Sequence, residues 1–192
     1  QMGTGAEDAW VVDLDNDRKT DIIVTTNDEA ELGKNGTGTP HTYAIKGDGT
    51  EYWSYSFPCK LDVEAVTVYT NPLTNELELA ITGRRGIRTT VYYKDGTKKW
   101  ETDVGSNSHR FSIAAGDVNG DGIPEIVVDS QEGLNSKVWV FDIDGNKLCE
   151  KAIGVNGGRI RIKNQIIILV RFGEENHDIK AFEVLPNEIE GL

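Results

Sequence analysis

Short β-branched and aromatic runs alternate along this chain with Gly- and Asp-rich punctuation, and no stretch reads as a helix. The clearest pattern is a repeated hairpin. Residues Tyr43 to Trp53 contain a strand, the pair Asp48-Gly49 and a returning strand; Val91 to Trp100 repeat it around Asp95-Gly96, and Val138 to Cys149 around Asp144-Gly145. An Asp-Gly pair between alternating apolar residues is a strong hairpin signal, because the tight turn needs a positive φ that Gly accepts without steric conflict. Trp53, Trp100 and Cys149 end the three copies at the same offset, 47 and 49 residues apart. That period fits propeller blades, and the β-branched alternation excludes long helical repeats.

Two further strands precede each hairpin. They are predicted over 9–13 and 21–26, over 63–69 and 77–82, and over 111–117 and 125–129. A fourth unit reads as strands over 159–163, 165–171 and 178–185, with no convincing outer strand after it. Four-stranded units at this spacing predict an all-β fold, a β-propeller of four-stranded antiparallel blades in one domain over 1–192. The blades are expected near 7–57, 61–105, 109–153 and 155–192, the last incomplete. Either the four close into a ring, with residues 1–6 or the tail from 187 supplying the missing strand, or they are part of a larger ring completed by further sequence or a second copy.

Between the first two strands of units one and three lie acidic loops. Unit one has Asp13, Asp15, Asp17 and Asp21 at loop positions one, three, five and nine; unit three has Asp117, Asn119, Asp121 and Glu125. Alternating oxygen donors on a curling loop converge on one point, where a hard cation takes six to eight oxygens near ~2.4 Å. The carbonyls of Lys19 and Ile123, at position seven, are the natural backbone donors. Magnesium is the poorer fit, since it demands a near-ideal octahedron. An EF-hand would need Glu at position twelve and a following helix, whereas Val24 and Val128 stand there within strand-like runs.

Ile113-Ala114-Ala115-Gly116 and the loop from Asp117 to Val128 resemble the FG-GAP/VCBS repeat, found in integrin α-chain propellers and in microbial cell-surface proteins. Unit one is similar but has Arg18 where that family has Gly, so loop three is expected to hold its ion more tightly. Unit two, with Thr70 to Glu76, and unit four, with Asn164-Gln165, lack the pattern. The resemblance implies calcium, two ions in this chain, clamping the first hairpin of blades one and three. It also implies an extracellular or cell-surface, non-catalytic module for adhesion, recognition or surface structure, with protein or glycan partners. The alternative is a relative of calcium-dependent polysaccharide lyases acting on acidic glycans, notably rhamnogalacturonan lyases, which share Asp-rich loops and Trp-ended hairpins but are much longer chains.

Charge agrees with a cation-holding protein: a formal net charge of −12 speaks against nucleic acid and anionic membranes as partners. The longest aliphatic run, Ile166 to Val170, is far short of the ~20 residues that span a bilayer. Trp53 and Trp100 are expected to pack between blades. Cys59 and Cys149 fall in different blades and are expected as thiols. No catalytic triad or phosphate loop is readable. In a meander the acidic loops and Asp-Gly turns share one end of the blades. The other end carries the connections holding Arg84, Arg85, Arg88, His109 and Arg110, a concentration of cations that suits an acidic glycan or acidic protein edge.

Overall fold

The computed structural model describes residues 5–27, 41–56, 63–83, 89–103, 112–129, 136–153, 158–170 and 179–183. They form fifteen strands in four antiparallel sheets. Blade one is β1 (Gly5–Val12), β2 (Asp21–Asn27), β3 (His41–Ile45) and β4 (Glu51–Ser56). Blade two is β5 (Val63–Asn71), β6 (Glu76–Gly83), β7 (Thr89–Tyr93) and β8 (Lys98–Thr102). Blade three is β9 (Ile113–Gly116), β10 (Glu125–Asp129), β11 (Lys137–Phe141) and β12 (Lys147–Ala152). Blade four contributes β13 (Arg159–Lys163), β14 (Ile166–Val170) and β15 (Ile179–Glu183). Each sheet is a meander in chain order, as the repeated hairpins require.

Both faces of a middle blade are buried, so apolar residues occupy both parities of its strands and the alternation blurs. Each blade has a near face, toward the blade before it, and a far face. Ile23 and Ala44 on the far face of blade one meet Val66, Val68, Leu79 and Ile81 of blade two. Ala80 and Val91 meet Ile113, Ile126 and Val128 of blade three; Ala114, Val127 and Val140 meet Ile160, Ile167 and Leu169 of blade four. The core is therefore three interblade layers. The innermost strands β1, β5, β9 and β13 stand side by side, and each of β5, β9 and β13 packs on the strand before it. Polar tethers recur at one slot: Asp8 Oδ2 accepts from Val66 N at 3.1 Å, and Ser112 Oγ from Ile160 N at 2.9 Å.

The expected role of the tryptophans is met at two junctions. Trp53 Nε1 donates to Lys94 O at 2.7 Å and Trp100 Nε1 to Ile143 O at 2.8 Å, each indole reaching the Asp-Gly turn of the next blade. Gly96 and Gly145 sit at φ 85° and 88°, and a Cβ on either would press into the indole, 3.0 Å from Trp53 Cδ2 or 2.8 Å from Trp100 Cδ2. The turn glycine is thus required twice, by the backbone and by the neighbouring blade. Cys149 takes the same slot in blade three as a half-buried thiol; Cys59 lies outside the described residues.

The described residues bear on one of the two ring arrangements open at the sequence level, closure by four blades with residues 1–6 supplying the missing strand. Gly5 and Ala6 are already part of β1, pairing with Asn27 and Thr26, and so do not serve blade four. Packing between β13 and β1 on the scale of the other junctions is absent among the described residues.

Candidate metal centre

The acidic loops hang between the first two strands of their blades, where β1 ends at Val12 and β9 at Gly116. Their backbones match. Asn16 and Arg18 have φ of 61° and 67°; the equivalent Gly120 and Gly122 have 87° and 83°. Loop one thus forces a left-handed conformation on an arginine, where L-residues lose about 1–2 kcal/mol relative to glycine, while Asn tolerates it better. The concern raised by Arg18 has a physical basis.

In loop one the carboxylates of Asp13, Asp15 and Asp21 converge, each offering an oxygen within 4.8 Å of the others. Asp21 is buried, with Oδ2 accepting from Leu14 N at 2.8 Å and Oδ1 from Gly47 N at 3.0 Å. Asp13 accepts from Asp17 N and Arg18 N. Asp17 is not in the cluster. Its Oδ2 pairs with Lys19 Nζ at 2.9 Å, and that bond, with the Lys19 N–H, holds its carboxyl below the usual range. Asp15 is paired with Lys46 Nζ at 3.0 Å. Two ammonium groups therefore already neutralise part of loop one.

Loop three has the same frame with different charge balance. Glu125 Oε2 accepts from Val118 N at 2.8 Å, the counterpart of Asp21 and Leu14. Asp117 accepts from Gly120 N and Gly122 N, and Asp121 Oδ1 from Ile123 N. The Asn119 amide bridges Asp121 Oδ2 and Glu125 Oε1. The position of Lys46 is taken here by Asp142, whose carboxylate caps its own turn by accepting from Asp144 N and Asn146 N, so this slot offers loop three no ammonium. Burial, with the charges of Asp121 and Asp117, pushes Glu125 up to about 7. Loop one is the tighter cluster of carboxylates, and loop three keeps more charge uncompensated. An all-oxygen donor set with this excess of negative charge suits a hard divalent cation.

Blade two carries a feature that the sequence reading missed. The strand register makes Glu78 the counterpart of Asp21 and Glu125, and all three are buried. Glu78 receives Lys99 Nζ at 2.9 and 3.0 Å, Tyr69 OH at 2.6 Å and Asn71 Nδ2 at 2.9 Å. Lys99 corresponds to Tyr52 in blade one and Leu148 in blade three. An internal ammonium thus compensates the position-nine acid of blade two. Beside loop one, a cleft of about 350 Å³ lies between blades, lined by Asp13, Asn16, Asn75, Glu76 and Lys94 among others. Arg84, Arg85, Arg88, His109 and Arg110 fall outside the described residues.

Four antiparallel meanders set side by side about their first strands define a β-propeller architecture. Residues 75–128, from β6 through loop three to β10, match the FG-GAP-like repeat family. No curated protein matches the chain. Among solved structures it is similar to Saccharomyces cerevisiae Sqt1 (TM-score 0.66, 9% identity, 87% of this chain and 43% of that one). It is similar also to the Bacillus licheniformis rhamnogalacturonan lyase PL11 (TM-score 0.61, 18% identity, 91% and 39%). A third is the V. cholerae biofilm matrix protein Bap1 (TM-score 0.52, 18% identity, 95% and 38%). At such identities the likeness is one of fold, and the chain spans about two-fifths of the length of these chains.

Proposed function

We propose that this chain is a non-catalytic propeller module in which calcium closes the β1–β2 and β9–β10 loops, serving recognition, adhesion or surface structure outside the cell. The observation that carries this reading is the shared frame of the two loops: an acid buried at position nine, accepting from the backbone of position two, with further oxygens at positions one and three. Asp13, Asp15, Asp21 and the Lys19 carbonyl would hold one ion, with Asp17 joining once released from Lys19. Asp117, Asn119, Asp121, Glu125 and the Ile123 carbonyl would hold the other. The ion supplies charge neutralisation and a cross-tie between the first two strands of a blade. Partner recognition is assigned to the sequence segments that hold Arg84, Arg85, Arg88, His109 and Arg110, cationic side chains that suit an acidic glycan or an acidic protein edge.

Isothermal titration with calcium tests the reading. Two ions should bind per chain, and Asp13→Ala and Asp117→Ala should each remove one. Absence of binding at millimolar calcium, or stoichiometry unchanged by both substitutions, overturns it.

A further inference from the structure

On the side of the acidic loops, each layer between two blades ends in a slot whose contents differ from junction to junction. Between blades two and three the slot is closed: Tyr69, Ile123 and Ile143 join one apolar cluster there, with Tyr69 and Ile143 buried. Between blades three and four, a Cβ built on Gly116 would lie 2.9 Å from Ile162 Cγ2, and one on Gly120 2.8 Å from Gln165 Nε2. That slot is filled by blade four. Between blades one and two the register puts Val12 where Tyr69 stands, Glu76 where Ile123 stands and Lys94 where Ile143 stands. A smaller side chain and an ion pair thus replace three apolar groups, and the slot opens into the cleft of about 350 Å³. Both walls of the cleft are described, as is every hairpin connection at this end of the blades.

The lining has an apolar part, Val12 and Leu77, which pack onto the layer beneath. Around it stand three uncharged polar side chains, Asn16, Thr70 and Asn75, none of which has a side-chain hydrogen bond among the described residues. Asn16 and Asn75 sit at φ 61° and 57°, and their counterparts in loop three are Gly120 and Gly122. Glycine serves such a backbone at no steric cost, so at both points this cleft carries an amide that the fold does not require. The walls are held in place. Asn71 O accepts from Asn75 N at 2.8 Å, and Asn71 Oδ1 from Leu73 N at 2.9 Å; the indole of Trp53 ties Lys94 O to blade one. Glu76 already matches the ammonium of Lys94, and Asp13 adds a further negative charge.

We infer that the cleft between blades one and two binds an uncharged sugar unit of a glycan. An amide offers a donor and an acceptor side by side, the pairing that neighbouring ring hydroxyls present, and Val12 with Leu77 suits the C–H face of the ring. The volume lies at the small end of the range of about 300–1,000 Å³ typical of ligand sites, so a single ring enters and the rest of the glycan leaves by the open mouth. A uronate would meet an excess of carboxylate with no unmatched ammonium in the lining, and like charges brought together cost affinity. The selectivity is therefore opposite to that of the segments holding Arg84 and Arg110. Asp13 apart, the side chains invoked are not ion ligands, and the inference stands separately from the calcium reading.

Binding to immobilised oligosaccharides of glucose, galactose, mannose and N-acetylglucosamine, measured in millimolar calcium, tests it. At least one of these should bind with Kd below about 1 mM; the same free oligosaccharide should displace it, and oligogalacturonate should not. Asn16→Gly combined with Asn75→Gly removes both amides where the backbone accepts glycine, so this variant should melt near wild type and bind about tenfold or more weakly. Glu76→Ile combined with Lys94→Ile recreates the apolar closure found between blades two and three and should abolish binding. Failure of all four neutral series to bind, displacement by oligogalacturonate, or binding that survives both double variants would overturn the proposal.

Discussion

Lys99→Met removes the ammonium that compensates Glu78 while keeping most of the side chain's volume. Glu78 is 1% exposed and the Lys99 side chain 12%, so water cannot replace the lost partner without opening the interface between blades two and three. The carboxylate keeps Tyr69 OH and Asn71 Nδ2, two neutral donors, against a charge held in a low-dielectric layer. Breaking a buried pair on one side costs about 3–5 kcal/mol. For a domain of this size each kcal/mol moves the melting midpoint by about 2–4 °C, so the expected loss is about 6–20 °C. Combining Lys99→Met with Glu78→Gln removes the charge as well, and the amide oxygen can still accept from Asn71 Nδ2 while its NH2 donates to the Tyr69 hydroxyl oxygen, which can turn to accept. The double variant should recover about 0.5–3 kcal/mol relative to the sum of the single ones. Urea unfolding followed by tryptophan fluorescence, extrapolated with a common slope, measures both. A Lys99→Met protein within about 1 kcal/mol of wild type, or strict additivity in the double variant, refutes the idea that Lys99 stands in for a cation.

Three further outcomes follow from the same geometry. Asp129 is buried, accepting from Ser112 N and Gly158 N, and burial pushes it up to about 7; the native state then holds a proton that the unfolded state releases near pH 4, so stability should fall from about pH 4 to 7 and level off above. The difference between wild type and Asp129→Asn across that range isolates this group, and a flat difference contradicts it. Glu125 must ionise to act as a ligand, so calcium affinity at loop three should fall about tenfold per pH unit below 7, as titrations at pH 5, 6 and 7 would measure. Arg18→Gly relieves a left-handed arginine and should stabilise the protein by roughly 1 kcal/mol, read by urea unfolding, and tighten loop one in calorimetry.

The hairpins and the acidic loops were legible because they rest on local chemistry: Asp-Gly turns, β-branched runs and alternating oxygens declare themselves within about a dozen residues. The fate of Asp17 was not, since loop spacing places it beside Asp13 and Asp15 and says nothing of Lys19, whose flexible stem draws it aside. The network of Glu78 was hidden for a different reason. Its hairpin loop lacks the acidic pattern, and its compensating charge comes from Lys99, two strands and 21 residues away, so only the sheet register shows the equivalence with Asp21 and Glu125. Interblade burial was equally unreadable: Val11 and Val68 are the same residue in the same slot, one exposed and one buried, and only Val68 has a described blade packed against it.

Paired thermal melts in millimolar calcium and in excess chelator, with magnesium as the control, test the central claim most directly. Binding to the native state alone at a hundredfold excess over Kd contributes about 2.7 kcal/mol per site, which for a chain this size is about 5–11 °C. Calcium should raise the midpoint by at least that amount, magnesium should raise it far less, and Asp13→Ala with Asp117→Ala should abolish the shift. Identical midpoints in calcium and chelator would contradict the account.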